Sequence, residues 1–226
     1  MKITFGGHSC FLIEFEKHKI IIDPFLSGNP LAGLTADRVD VQFILVTHGH
    51  GDHLGDTIEI AKRTGAVVIA PNELAVYCQR QGIAAHPMHI GGSWGFPFGR
   101  VKLTQATHGS AVINDQGIIY TGNPCGFLIH MGHKTIYHAG DTGLFGDMKL
   151  IGQYTPVDLA MLPIGDNFVM GPADAVEAAK FVQAKHVIPM HYNTFDVIRQ
   201  DPEFFKQRLT GIAQCTILQS GQSLEI

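Results

Sequence analysis

Short runs of β-branched and aromatic residues recur along the chain: KITFG, CFLIEFE, KIIIDP, VQFILVT and AVVIAP, then RVKLTQA, GFLIHM, KTIYHAG, VDLAMLP, HVIPMH, CTILQ and SLEI. Their length and residue types predict β-strands. Helical spacing interrupts them at Gly55–Thr64, Asn72–Gln81, Leu144–Tyr154, Pro172–Gln183 and Pro202–Leu209. At Pro172 the proline suits a first helical turn, and ADAVEAAKFV continues with apolar residues on one face. Strands and helices mixed throughout predict sheet buried under helices.

The two halves echo one another. FLIEFEKHKIIIDP from Phe11 is matched by FLIHMGHKTIYHAGD from Phe127, and VQFILVTHGHGD from Val41 by VDLAMLPIGDNF from Val157. Both echoes fall at an offset of about 115 residues, in the same order, and each second piece is followed by a helix and a strand. A duplicated β-rich unit predicts two sheets packed face to face with helices outside. The expected fold is therefore an α/β (α+β) four-layer αββα sandwich, one domain over residues 1–226, with loops from both halves meeting at a shared edge.

Composition narrows the function. The 226 residues are 45% hydrophobic and 16% charged, which describes a well-cored protein. Sixteen basic against twenty acidic residues give a net charge of -4 and no large positive field, so no nucleic-acid partner is expected. No apolar run approaches a membrane span and the N-terminus lacks a leader's apolar stretch, so a cytoplasmic protein is expected. Cys10, Cys78, Cys125 and Cys215 lie far apart without a CxxC and read as free thiols.

The chemistry concentrates in THGHGDHLGD, directly after the strand VQFILV. His48 and His50 share one side of an extended segment, while Gly49 and Gly51 let the chain fold back and present Asp52 and His53 elsewhere. One ion suits the first pair and a second ion the other, and each needs further donors. His108 after RVKLTQAT, Asp141 after KTIYHAG and His191 after HVIPM stand at the ends of other strands and can supply them. Asp141 is placed to bridge two cations, and imidazole with carboxylate suits zinc first, with manganese or iron as alternatives.

This pattern, HxHxDH followed by His, Asp and His, resembles the metallo-β-lactamase superfamily over nearly the whole chain. The resemblance implies His48, His50 and His108 on the first metal, Asp52, His53 and His191 on the second, and Asp141 across both. GHSCFLIE, IIIDPFLSGNP, YHAGDTGLFGDMKLIG, PIGDNFVMGP and VIPMHYNTF are further similar to the metal-dependent hydrolases near L-ascorbate-6-phosphate lactonase.

Around this set, Asp23 either closes a turn before Pro24 or accepts the ring N–H of a ligating histidine. His138, at its echo, either supports the site or is simply buried. His8, in GGHSC, borders the metals as proton donor or substrate contact, or is structural. Asp166, Asn167, Asn193 and Thr194 are candidate substrate contacts.

The expected activity is hydrolysis of a small-molecule ester, lactone, amide or phosphodiester by a hydroxide bridging the metals, with Asp52 orienting it. A nuclease, an iron redox enzyme and a silent metal scaffold are the alternatives. A homo-oligomer is compatible with the resembled subgroup.

Overall fold

A computed structural model of the chain describes residues 1–115 and 117–226. The strands in chain order are β1 (Lys2–Gly7), β2 (Cys10–Phe15), β3 (His18–Ile22), β4 (Phe43–Leu45), β5 (Val67–Pro71), β6 (Ala85–Met88), β7 (Ser93–Phe96) and β8 (Gly99–Gln105). They continue with β9 (Ala111–Asn114), β10 (Gly117–Tyr120), β11 (Cys125–Met131), β12 (Lys134–His138), β13 (Leu159–Pro163), β14 (His186–Met190), β15 (Gln214–Cys215) and β16 (Ser223–Glu225). The helices are α1 (Gly51–Leu54), α2 (Thr57–Thr64), α3 (Asn72–Arg80), α4 (Met148–Tyr154), α5 (Pro172–Val182) and α6 (Pro202–Arg208).

Two seven-stranded sheets form, in the orders β16-β1-β2-β3-β4-β5-β6 and β7-β8-β11-β12-β13-β14-β15. Read in that direction, both pair antiparallel for three steps and parallel for the next three. The registers repeat as well: Phe11 faces Ile22 as Phe127 faces His138, and Ile20 faces Phe43 as Ile136 faces Leu159. The internal echo of the sequence is thus an echo of strand pairing.

The uninterrupted apolar runs follow from burial on both faces of each sheet. In β3, Ile20 and Ile22 join the large core with Phe127, Ile129 and Leu159 of the other sheet, while Ile21 turns to a second core with Ile60 and Leu74 of α2 and α3. Phe43 of the first sheet meets Phe98 of the second at 4.7 Å between ring centroids. On the far side, Ala175, Ala178 and Val182 of α5 close the large core. Helix, sheet, sheet, helix is the resulting order of layers.

Helix ends shift from the expectation for local reasons. α2 begins at Thr57, and Asp56 in the N-cap position makes no capping bond; its Oδ2 accepts from Leu26 N and Ser27 N instead. α4 starts only at Met148, whereas α6 is capped by Asp201, which accepts from Glu203 N, with Pro202 behind it. CTILQ contributes only Cys215 to a two-residue strand. AHPM and SWGF, which lie outside the strand runs of the sequence pattern, form the edge strands β6 and β7.

The ribbon β9–β10 also escaped the sequence pattern, and it belongs to neither sheet. Its register puts Ala111, Ile113, Ile118 and Tyr120 on one face. Ile113, Ile118 and Tyr120 are largely exposed there, while Val112 on the other face enters the second core.

Candidate metal centre

Strand direction explains why the chemistry gathers at one edge. β1, β3 and β4 run the same way in the first sheet, as do β8, β12 and β14 in the second. His8, Asp23, His48, His108, Asp141 and His191 all follow the carboxyl ends of these strands, where α/β sheets commonly bind ligands.

The metal-seeking loop does more than fold back. Past His50 it winds into the four-residue helix α1, so His48 and His50 are presented from extended backbone while Asp52 and His53 come from a helical turn. Gly49 is required, since a Cβ there would run into Thr121 Oγ1. Its N–H donates to Ser110 Oγ (3.1 Å), and Ser110 Oγ lies 2.7 Å from Thr121 Oγ1, which ties the root of the ribbon to the loop.

All seven residues expected as ligands come together. The ligand atoms of His48, His50 and His108 lie within 4.8 Å of one another, as do those of His8, Asp52, His53 and His191, and those of His48, His53 and Asp141. His48 Nε2 is 2.9 Å from His50 Nδ1, His53 Nε2 is 3.1 Å from Asp141 Oδ1, and His191 Nε2 is 3.0 Å from Asp141 Oδ2. Metal–nitrogen bonds of about 2.0–2.1 Å would separate two ligands of one tetrahedral ion by roughly 3.3 Å, so these spacings suit shared cations. His53 Nε2, His191 Nε2 and Asp141 Oδ1 are buried without a hydrogen-bond partner, an arrangement that is costly unless a cation supplies the missing interaction.

Hydrogen bonds set the tautomers. Asp23 Oδ1 accepts from Thr47 N (2.8 Å), and Asp23 Oδ2 accepts from Thr47 Oγ1 (2.7 Å) and from His53 Nδ1 (2.8 Å). With its hydroxyl proton given to Asp23, Thr47 Oγ1 accepts from His48 Nδ1 at 3.0 Å. Both His48 and His53 therefore carry a proton on Nδ1, and His48 turns the lone pair of Nε2 into the site. Thr47 is the residue that sequence reasoning missed; a buried threonine ending a strand beside Asp23 was its only trace.

The electrostatics call for positive charge. Asp141 is fully buried, which would raise its pKa, yet His191 and His53 hold it well below the usual carboxylate range. Burial works against the charge on His53, but Asp141, Asp23 and Asp52 together push its pKa well above the ordinary histidine value. His48 is lowered well below it, by burial and then by His53.

His8 sits in the left-handed region at φ 58°, and its carbonyl accepts from His191 N at 2.8 Å. Its Nε2 lies 3.2 Å from Asp52 Oδ2 and its Nδ1 2.9 Å from Thr194 Oγ1. Burial, then His191, lowers its pKa to about 4. At neutral pH the ring is uncharged, so Nε2–H donates to Asp52 and Nδ1 accepts from Thr194. Such a ring orients the Asp52 carboxylate.

His138 turns away from the cluster. Its Nε2 donates to Ser9 O (3.0 Å) and its Nδ1 accepts from Gly140 N (3.2 Å), so it clamps the His8 loop of one sheet to the Asp141 loop of the other. Gly140, at φ 63°, is the only residue type that fits, because a Cβ would meet Cys125 O at 2.5 Å.

Asp166 and Asn167 lie exposed in a tight turn at φ 60° and 47°, where Asp166 Oδ1 accepts from Asn167 N. Asn193 Oδ1 accepts from Gln200 N, a bond internal to its own loop. None of the three falls within the ligand clusters.

Comparison with known proteins agrees with this geometry. Residues 18–192 match the Beta-lactamase superfamily domain. A "UPF0173 metal-dependent hydrolase" of Desulforamulus reducens is 57% identical, with the whole of both chains covered. A metallo hydrolase of the archaeon Ignicoccus hospitalis superposes with a TM-score of 0.90 at 36% identity, covering 100% of this chain and 98% of its own. An isothiocyanate hydrolase from Delia radicum gut bacteria shares the fold, with a TM-score of 0.79 at 20% identity over 100% and 99% of the two chains. Among the described residues no helix is long and apolar enough to cross a membrane.

Proposed function

The chain belongs to the beta-lactamase superfamily, among the UPF0173 metal-dependent hydrolases, and on that footing we propose that it hydrolyses a small-molecule ester, lactone, amide or phosphodiester at a dinuclear centre. His48, His50 and His108 would hold one divalent cation and Asp52, His53 and His191 the other, with Asp141 reaching both. Zinc suits these donors first, and manganese or iron also fit. The observation that carries this reading is the set of buried, unpartnered donor atoms on His53, His191 and Asp141.

Bound there, the cations supply an acidified water and a polarised substrate oxygen. The protein's own part is orientation. Asp23 and Thr47 fix the ring protons of His48 and His53 on Nδ1, which leaves Nε2 for ligation. His8, held by Thr194, directs Asp52 Oδ2. The clamp through His138 keeps the His8 and Asp141 loops in register across the two sheets.

Elemental analysis of protein reconstituted with zinc, manganese or iron tests the assignment. Two equivalents per chain are expected, and about one in Asp141→Ala. Full occupancy and unchanged p-nitrophenyl ester hydrolysis in that variant would refute the dinuclear hydrolase.

A further inference from the structure

An aromatic wall stands beside the second ligand cluster. The ring of Phe25 lies 5.7 Å from that of His8, and the ring of Phe195 lies 5.6 Å from it. The two phenylalanines are 6.3 Å apart and tilted by 36°. Phe25 is half-buried, and Phe195 is 38% exposed, so the wall is reachable from solvent while being one ring removed from Asp52.

Among the described residues, the strongest charge interactions of His8, His48, His50, Asp52, His53, His108 and Asp141 are with histidines and aspartates of the same site, and no lysine or arginine is among them. Nearby Arg199 is engaged with Asp196 at 2.8 Å. Three carboxylates, the buried Asp23 and Asp141 and the half-buried Asp52, would already offset most of the charge of two divalent cations. Phosphate recognition ordinarily enlists arginine, lysine or a helix N-terminus. An anionic substrate would therefore find no lysine or arginine among these interactions, whereas an apolar group would find ring faces.

We infer that the substrate is an uncharged carboxylic ester or lactone whose acyl part carries an aryl or bulky apolar group that packs against Phe25 and Phe195. This rests on the hydrolase reading above and narrows it, setting the phosphodiester aside. The reaction adds water across the acyl C–O bond. The water oxygen bonds to the carbonyl carbon, the C–O bond breaks, the alcohol oxygen takes one water proton, and the other leaves from the new acid.

Zinc-reconstituted enzyme should be compared on p-nitrophenyl phenylacetate, p-nitrophenyl acetate and bis(p-nitrophenyl) phosphate. The phenylacetate ester is expected to have the highest kcat/KM. Phe195→Ala should raise its KM by about tenfold, the worth of one lost apolar contact, and raise that of the acetate less. Phe195→Leu should recover part of the loss.

Preference for the phosphodiester, or an equal loss on both esters, would overturn the inference while leaving the hydrolase intact. Binding of ethyl phenylacetate and phenyl phosphate, followed by saturation-transfer NMR on zinc-loaded and metal-free protein, reads the wall without turnover. The ester should bind in both forms, more weakly after Phe195→Ala; tighter binding of phenyl phosphate, or no effect of the substitution, would overturn the proposal. Absence of any metal-dependent cleavage would refute the hydrolase reading and, with it, the substrate assigned here.

Discussion

The two halves of the molecule share strand order and pairing register, yet they equip equivalent strand ends differently. β1 and β8 are each followed by a histidine, His8 and His108, and β3 and β12 by an aspartate, Asp23 and Asp141. Asp23 is locked behind the site by Thr47 and His53, whereas Asp141 reaches into it with an unpartnered oxygen. The contrast is sharper after β4 and β13. One loop holds His48, His50, Asp52 and His53 around a short helix, while the other, PIGDNFVM, turns through Asp166 and Asn167 and presents no ligand cluster. A repeated scaffold fixes where side chains can go, and the residues placed there decide what each position does.

Exchanging the two aspartates' chemistry separates them most strongly. Asp141→Ala should lower activity by at least ~10³-fold, since it would remove the donor proposed to reach both cations, and elemental analysis should show the loss of metal. Asp23→Asn should be milder, at about 10–100-fold in metal affinity, because one amide oxygen cannot accept from Thr47 and His53 as two carboxylate oxygens do. Zinc titration against a competing chelator would measure it; an unchanged affinity would return Asp23 to a plain turn residue.

The clamp between the halves gives a smaller, pH-dependent effect. Burial lowers the pKa of His138, so the folded protein refuses a proton that the unfolded chain accepts below about pH 6.5. Its contribution is present above that pH and is lost as pH falls, by up to ~1.4 kcal/mol per unit. In chelated protein, His138→Gln should cost about 1–3 kcal/mol at pH 7.5 and flatten the decline toward pH 5, as followed by denaturant melts. A slope identical to that of the parent would show that His138 does not carry this proton. The smallest effect is expected at Asp166→Ala, where kcat/KM should stay within a few-fold; a hundredfold loss would mean that the second half's loop takes part after all.

Much of this was written in local pattern. The apolar runs located most strands because burial on both faces leaves them continuous, and HGHGDH stood out because six residues concentrate the donors. What could not be read depends on partners distant in the chain. Thr47 gains its role only when β3 lies beside β4, and Thr194 only when its loop reaches His8. The ribbon β9–β10 was hidden because its exposed isoleucines look like core and its strands are too short to show a period. α1 was hidden because four residues cannot display a helical repeat.

The matching sheets carry a consequence for each half alone. Ile20, Ile22 and Leu45 on one inner face, and Phe127, Ile129 and Ile136 on the other, are dry only because the opposite sheet covers them. A free-standing half would present that oily surface to water and would need a twin to cover it, so self-association is the natural condition of the isolated unit. Fusing two such units in one polypeptide makes the pairing permanent and lets the copies drift apart in what their loops carry.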